Sequence, residues 1–168
     1  MADTSAENDK IEKKLWKAID QQKIGMLGAA GGAPKHLQPM TGFCDPDRSS
    51  IWFYSRRDTD LARDVGEAGH AGMFCFADKD RELWACLGGD LSLDHDPQRI
   101  EDNWSPVVAA WYPEGKDDPQ LTLIRLEVVE ARVWVSELGP LKFGYAIAKA
   151  NATHRPPDVG SRTDLNFQ

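Results

Sequence analysis

The sequence predicts one mainly β domain with flanking helices, in which short antiparallel strands form a closed sheet. Two observations lead to this prediction. Short apolar stretches alternate with tight turns, and the strand–helix–strand rhythm of a parallel sheet, which repeats at ~30 residues, is absent. The 168 residues and a hydrophobic content of 41% are enough for one domain with its own core. We therefore expect residues 1–168 to form a single unit.

The N-terminal part predicts a helix and three strands. Residues 1–8 are polar and are predicted to be a flexible tail, after which Asn8 or Asp9 caps a helix with apolar residues at helical spacing. The turns contain glycine or proline. Strands are predicted at 24–29, 37–44 and 51–54, with turns at 31–34 and 45–49.

The remaining chain predicts three further strands and several short helices. Gly88 and Gly89 interrupt a strand, which indicates a bulge or a close approach to the backbone. The strands are predicted at 71–76, 82–94 and 121–135. Helices are predicted from Asp58 or Thr59 to Gly69, after Asp96 and after Ser105. Residues 137–168 have weaker patterns, with a helix favoured at 142–150 and a polar tail at 151–168.

Charge and composition argue against several classes of function. The net charge of −7 disfavours non-specific nucleic-acid binding, which needs clustered Lys and Arg. No apolar run reaches the ~18 residues that a membrane-spanning helix needs, and the polar N-terminus differs from a signal peptide. Three cysteines without a CxxC motif are typical of a reduced compartment. We expect a cytoplasmic protein without membrane or nucleic-acid partners.

Common catalytic and metal motifs are missing from the sequence. The four histidines form neither HxH nor HExxH, and no GxSxG, GxGxxG or GK[ST] motif occurs. Cys75 and Cys86 lie in apolar strand sequence and are predicted to be buried structural cysteines. We therefore predict no metal site and name no catalytic residue.

One turn has the composition of an anion site. Residues 55–59, Ser-Arg-Arg-Asp-Thr, connect a predicted strand to a predicted helix. Hydroxyl groups, two guanidinium groups and free N–H groups at a helix start suit a phosphate monoester. Helix capping and surface charge explain the same residues, so both interpretations stay open at this point.

Five motifs follow one another in a characteristic order: Pro39-Met40-Thr41, residues 52–61, Gly88-Gly89, residues 104–112 and Asp117-Asp118-Pro119. Together they extend over about residues 15–134. In this order and spacing they resemble the general-stress-protein branch of the pyridoxamine-phosphate-oxidase-like proteins, the FMN-binding split barrels.

The resemblance implies a six-stranded antiparallel split β-barrel, a homodimer, and FMN, with FAD as a possible replacement, in two clefts at the dimer interface. Strands near 37–41 and 52–55 would line the ring and ribityl chain, the turn at 55–59 would meet the phosphate, and residues 104–111 would approach from the partner subunit. The implied cofactor-binding residues are Gln38, Pro39, Met40, Thr41, Phe53, Tyr54, Ser55, Arg56, Arg57, Thr59, Trp104 and Trp111.

The chain departs from this family pattern at Gln38, Asp60 and Leu61, where relatives carry basic residues. A charged hydrogen bond to phosphate contributes roughly 1.5–3 kcal/mol, so the missing groups would weaken FMN binding unless others replace them. The available replacements are Lys35, His36, Arg56 and Arg57. Residues 156–168 also lack the basic, His-containing motif of the true oxidases, so pyridoxamine-phosphate oxidase activity is not expected.

Two classes of function remain open. The first is a flavin-dependent oxidoreductase, in which the cofactor does the chemistry on a small-molecule redox substrate. The second is a non-catalytic dimer that binds or sequesters a flavin or another planar ligand. Trp104 and Trp111, at helical spacing, could alternatively belong to the core of a monomer.

Overall fold

The computed structural model describes residues 2–30, 36–80, 82–136 and 138–167. Within these ranges seven strands form one antiparallel sheet: β1 (Ile24–Ala29), β2 (Gln38–Asp45), β3 (Ser50–Arg56), β4 (His70–Ala77), β5 (Leu83–Asp94), β6 (Leu121–Val135) and β7 (Ser161–Asn166). The helices are α1 (Ala2–Gln22), α2 (Asp60–Val65), α3 (Pro97–Asp102), α4 (Pro106–Ala109) and α5 (Pro140–Thr153). None of these helices is long and apolar enough to cross a membrane.

The sheet closes into a barrel because β3, at one end of the strand order, pairs with β6 as well as with β2. The strand order is β3-β2-β1-β4-β5-β6-β7, and β3 also pairs with β6, from Ser50 opposite Glu127 to Arg56 opposite Leu121. The second half of the 15-residue β6 strand pairs with β7 instead. Strands β1 to β6 therefore form the predicted closed six-stranded barrel, and β7 continues the sheet beyond it.

Two apolar clusters hold the elements together. The main core fills the barrel, and α1 contributes Leu15 and Ile19 to it. A second cluster lies on the outer side of β3 and β6, beneath α3 and α4, and contains Trp52, Ile100, Tyr112, Leu121 and Leu123. Burying one such large side chain stabilises the fold by about 1.5–3 kcal/mol, so both faces of β3 are fixed by packing.

The predicted irregularity in β5 is confirmed. The register between β5 and β6 shifts between Gly88 and Gly89. A Cβ atom on Gly89 would lie 1.9 Å from the main-chain oxygen of Glu127, whereas one on Gly88 would meet only the Glu130 side chain at 3.5 Å. The close approach of two backbones at Gly89 explains why glycine is needed there.

Three local predictions are wrong. Helix α1 begins at Ala2, so residues 2–8, predicted as a tail before a helix capped by Asn8 or Asp9, are helical. Helix α2 ends at Val65 and is capped by Gly66 (φ 55°), and Gly69 lies in the following turn. Residues 161–166, predicted as part of a polar tail, form β7, in which Leu165 is buried and Asp164 pairs with Arg132 of β6. The predicted turn at 31–34 lies outside the described residues.

The prediction for the strand cysteines is also wrong. Cys75 and Cys86 are partly exposed, and their sulfur atoms lie 3.5 Å apart. Strand alternation explains the difference, since Phe74, Phe76 and Leu87 take the inward positions.

Candidate functional site

Strands β2 and β3 separate at one end of the barrel, and this opening is the candidate site. Their pairing runs from Asp45 opposite Ser50 to Gly42 opposite Phe53, and it stops there. Beyond that point β2 stays paired with β1 through residues 38–41, and β3 stays paired with β6 through residues 54–56. The two strands therefore present unshared edges to each other in the region where most of the predicted ligand-binding residues lie.

The β2 edge presents main-chain groups of Pro39 and Thr41 to the opening. In an antiparallel sheet the N–H and C=O of one residue face the same neighbour, and successive residues alternate. The N–H of Gly42 donates to the Lys23 oxygen at 2.6 Å, toward β1. By alternation Thr41 and Pro39 face the other way. Because proline has no N–H, this edge offers the Pro39 carbonyl and both main-chain groups of Thr41.

The β3 edge is presented by Tyr54 and Arg56. The N–H of Arg57 donates to the Gln120 oxygen at 2.9 Å, toward β6, so Tyr54 and Arg56 face the opening by the same alternation. The Arg56 carbonyl is already occupied, because it accepts hydrogen bonds from the N–H of Thr59 and from its hydroxyl. The β3 edge therefore offers the Arg56 N–H and both main-chain groups of Tyr54.

The side chains of the β2 segment divide between the two faces of the strand. Met40 packs against the barrel core and accepts a hydrogen bond from the Gln38 amide, 3.4 Å from nitrogen to sulfur. Pro39 and Thr41 are exposed on the outer face. The segment is thus anchored by Met40 while its edge and outer face stay open.

Two predicted β3 residues have side chains that serve the fold. The Phe53 side chain is 0% exposed and packs in the core with its ring centroid 5.3 Å from that of Phe74, and its main-chain groups face β6, opposite Ile124. Tyr54 lies on the outer side, where its hydroxyl donates to the Ile100 oxygen at 2.7 Å. Burial raises the pKa of Tyr54 to about 12. The Phe53 side chain therefore serves the core, and the expected part of Phe53 in ligand binding stays a prediction.

The turn at 55–59 uses its hydroxyl groups internally. Thr59 Oγ1 accepts from the Ala62 N–H at 3.2 Å, which caps α2, and lies 3.2 Å from Ser55 Oγ. Arg56 donates from Nε and Nη2 to both carboxylate oxygens of Asp58, at 3.1 and 3.0 Å, and this hydrogen bonding lowers the Asp58 pKa. The exposed Arg57 guanidinium has no side-chain partner among the residues that the structure describes.

A hydrogen bond from another segment also holds the start of this turn. The buried Tyr112 hydroxyl donates to the Ser55 main-chain oxygen at 2.8 Å. Burial raises the pKa of Tyr112 to about 12, so the phenol keeps its proton at neutral pH. The segment after α4 therefore holds the end of β3 in place.

A cleft of about 370 Å³ lies beside the opening, between the end of β1, the start of β2 and α2. Sequence reasoning named four of its lining residues, Gln38 as a ligand contact, Asp60 and Leu61 as departures from the family pattern, and His36 as a replacement. The cleft is also lined by Ala29, Arg63 and Asp64. Arg63 Nη2 donates to Asp60 Oδ1 at 2.7 Å. Because Arg63 is already paired with Asp60, its guanidinium is not free to bind a phosphate group. Lys35 lies outside the described residues.

The two predicted tryptophans have different surroundings. Trp104 packs beside Tyr54 and Tyr112, with ring centroids 6.1 and 6.0 Å away, at the edge of the second cluster. Trp111 is 70% exposed and belongs to neither cluster, so a shared core position for both is wrong. Neither lines the cleft.

The described residues contain no group of three or more His, Cys, Asp or Glu side chains that could hold a metal ion.

Comparison with known proteins gives one consistent family. The sequence model of a family described as pyridoxamine 5'-phosphate oxidase like matches residues 9–158. General stress protein 26 of Bacillus subtilis (strain 168) is 22% identical over 125 residues, 73% of this chain and 87% of that protein.

Solved structures agree with that family. A Jannaschia sp. CCS1 protein assigned to general stress protein 26 is 31% identical, with a TM-score of 0.78 over 95% of this chain and 99% of its own. A general stress FMN/FAD binding protein of Xanthomonas citri is 35% identical, with a TM-score of 0.70 over 78% of this chain and 92% of its own.

Proposed function

The chain belongs to the pyridoxamine 5'-phosphate oxidase like family, in its general-stress-protein branch, and on that premise we propose that it binds a flavin in the opening between β2 and β3. The proposal depends mainly on one observation, the two unshared strand edges at residues 38–41 and 54–56. The Xanthomonas citri relative, described as binding FMN or FAD, supports the same ligand class.

The β2 edge fits the polar rim of an isoalloxazine ring. That rim carries two carbonyl oxygens on either side of one ring N–H. The Thr41 N–H can donate to a ring carbonyl, and the carbonyls of Thr41 and Pro39 can accept from a ring N–H. Main-chain donors and acceptors on a paired strand are rigid, so they orient a ligand without losing side-chain entropy.

The phosphate of FMN would depend on the turn at 55–59 more than on the cleft. Arg57 is the described cation at the turn that has no side-chain partner, and Arg56 can contribute if it leaves Asp58. In the cleft, the exposed carboxylate of Asp60 opposes a second anionic contact. The ring contacts are common to FMN, FAD and riboflavin, so these contacts alone do not select FMN.

A bound flavin supplies hydride or single-electron transfer at its ring, with a small-molecule redox substrate. The chain positions that ring and fixes its surroundings. Tyr54 and Tyr112 lock β3 through hydrogen bonds to Ile100 and Ser55, so the β3 edge keeps its geometry. Residues 38–41 contain no His, Asp, Glu, Lys or Cys that could act as a general acid or base at that edge.

We include a homodimer in the proposal. Val107 and Trp111 lie one helical turn apart at and after α4 and are 75% and 70% exposed. Two large apolar side chains exposed to solvent on the same side of α4 are suited to contact with a second copy. A mass of one chain in solution at micromolar concentration would contradict this part.

The experiment begins with the protein as purified. We expect a yellow protein, or an apoprotein that quenches the fluorescence of added FMN, FAD or riboflavin with a saturable curve. A colourless protein that quenches none of them at micromolar concentration would remove the flavin proposal.

A second function, flavin binding without turnover, is favoured by the same edge, since it lacks a side-chain acid or base. Anaerobic addition of NADH or NADPH separates the two. Bleaching of the bound flavin faster than of free flavin indicates an oxidoreductase, and equal rates indicate a binding protein.

A further inference from the structure

Cys75 on β4 and Cys86 on β5 lie opposite each other on the outer face of the sheet. The strand register pairs them directly, and their sulfur atoms are 3.5 Å apart. Met26 and Arg132 are the paired neighbours on either side, on β1 and β6. Both cysteines are partly exposed. The arrangement is therefore an accessible pair of thiols rather than two isolated cysteines.

The backbone gives this pair the closer of the two antiparallel geometries. The main-chain N–H of Asp78 donates to the main-chain oxygen of Leu83 at 2.9 Å, so these two residues occupy a hydrogen-bonded position of the ladder. Cys75 and Cys86 lie three positions from that pair. Since hydrogen-bonded and non-hydrogen-bonded positions alternate along the ladder, they form a non-hydrogen-bonded pair. The Ala30 N–H donates to the Ala71 oxygen, which shows independently that odd-numbered β4 residues face β1.

This geometry matches what a disulfide requires. Non-hydrogen-bonded pairs have Cα atoms about 4.5 Å apart, and disulfides span Cα separations of about 4.4–6.8 Å. The two sulfur atoms already lie 3.5 Å apart. Bond formation would need rotation of the side chains and a small local adjustment, with the strand register kept.

We propose that Cys75 and Cys86 are a redox modification site, a cross-strand dithiol that peroxides and small disulfides convert to an intramolecular disulfide. With hydrogen peroxide, one thiol becomes a sulfenic acid and releases one water. The other thiol then displaces the hydroxyl group, the S–S bond forms and a second water leaves. The protein loses two electrons and two protons, and the peroxide is reduced.

Small disulfides reach the same product by exchange. One protein thiol attacks glutathione disulfide and releases one glutathione, and the second protein thiol then releases the other. Cys44 takes no part, because it lies on β2, where its sulfur donates to the Trp16 oxygen at 3.8 Å. The pair does not depend on bound flavin, so this proposal and the flavin proposal fail separately.

The reactivity of the pair is moderate. Burial, followed by the contact with Cys86, raises the pKa of Cys75 to about 11. A protonated thiol attacks slowly, because the thiolate is the nucleophile. Proximity of the second sulfur compensates, since a sulfenic acid or mixed disulfide at either position meets a thiol before a second oxidant arrives.

The test uses the full chain, reduced and freed of reductant, then exposed to hydrogen peroxide or to glutathione disulfide. Free thiols counted after denaturation should fall from three to one. The intact mass should fall by two hydrogen atoms, and a peptide map should join Cys75 to Cys86. In a non-reducing gel the product should stay a single chain.

Three variants act as controls. Cys44→Ser should lose both remaining thiols to oxidation, whereas Cys75→Ser and Cys86→Ser should form no internal disulfide and at most one mixed disulfide with glutathione. Far-ultraviolet circular dichroism of the reduced variants checks their fold. The proposal is overturned if all three wild-type thiols survive conditions that oxidise dithiothreitol, if the bond joins two chains or includes Cys44, or if sulfinic acid is the main product.

Discussion

Gly42 and Phe53 form the last pair between β2 and β3, and the barrel opens directly beyond them. A Cβ atom on Gly42 would lie 2.8 Å from Ile51 Cγ2 and 3.1 Å from Phe53 Cε1, so the pair is tightly packed at the point of separation. Beyond it β2 depends on β1, and β3 depends on β6. The two edges of the candidate site thus belong to different parts of the barrel, each held by its own ladder.

The first prediction concerns the phosphate. Arg57→Ala should weaken FMN binding by about tenfold to a hundredfold, because one charged hydrogen bond contributes roughly 1.5–3 kcal/mol. Riboflavin binding should change little, since riboflavin lacks the phosphate. Fluorescence titration of both ligands against wild type and variant gives the comparison.

Arg63→Ala is the matched control for Arg57→Ala. Its guanidinium is paired with Asp60, so its removal should cost less FMN affinity than removal of Arg57. Equal losses for FMN and riboflavin in Arg57→Ala would show that the turn at 55–59 does not hold the phosphate.

The second prediction concerns the acidic cleft. Asp60→Asn should strengthen FMN binding a few-fold without changing riboflavin binding, because it removes a negative charge from the lining and releases Arg63. The Asp60 side chain is 94% exposed, which limits the effect to below about 1 kcal/mol.

Salt provides the check on this second prediction. The gain in Asp60→Asn should shrink as ionic strength rises, since exposed charges are screened. Asp47→Asn, which makes the same charge change in the turn between β2 and β3, should leave FMN binding unchanged. A gain of the same size in Asp47→Asn would mean that net charge, not the cleft, is responsible.

The barrel could be predicted from sequence because its signals are local. The strand at 24–29 and the long strand at 121–135 match the structure in their bounds. A short apolar run defines the first, and alternating apolar residues define the second. β7 could not be predicted, because Leu165 is its single large apolar residue and its stability comes from pairing with β6. The early start of α1 was missed because residues 2–8 lack an apolar face.

The candidate site was predictable in its segments but not in the roles of its side chains. The motifs at 39–41 and 52–61 include residues of both edges of the opening. Sequence could not show that Phe53 points into the core or that Arg56 is bound to Asp58, since both depend on strand orientation and turn geometry. Arg63 was missed, although the spacing of three between Asp60 and Arg63 was a readable helical signal.

The third prediction tests the bulge. Gly89→Ala should destabilise the protein by about 3 kcal/mol or more, because its Cβ would overlap the Glu127 main-chain oxygen, and a backbone atom cannot rotate away. Gly88→Ala, one residue earlier, should change the free energy of unfolding by less than about 1 kcal/mol, since it meets a flexible side chain at ordinary contact distance. Urea unfolding measures both, and similar losses in the two variants would contradict the bulge geometry.

The last prediction concerns alkaline pH. The pKa of Tyr112 is raised from 10 to about 12 by burial, and the folded state therefore keeps a proton that the unfolded chain loses. This contribution to stability is fully present below pH 10 and is lost as the pH rises through 12.

Tyr112→Phe removes the hydrogen bond to the Ser55 oxygen, which should cost about 0.5–1.5 kcal/mol at neutral pH. The stability difference between wild type and Tyr112→Phe should shrink between pH 10 and 12, because an ionised phenol cannot donate. In Tyr112→Phe, part of the loss of stability at alkaline pH should remain, because the pKa of Tyr54 is also raised to about 12. Urea unfolding at several pH values, with tyrosinate absorbance followed in parallel, tests this. A difference that stays constant up to pH 12 would show that Tyr112 stabilises the end of β3 by packing alone.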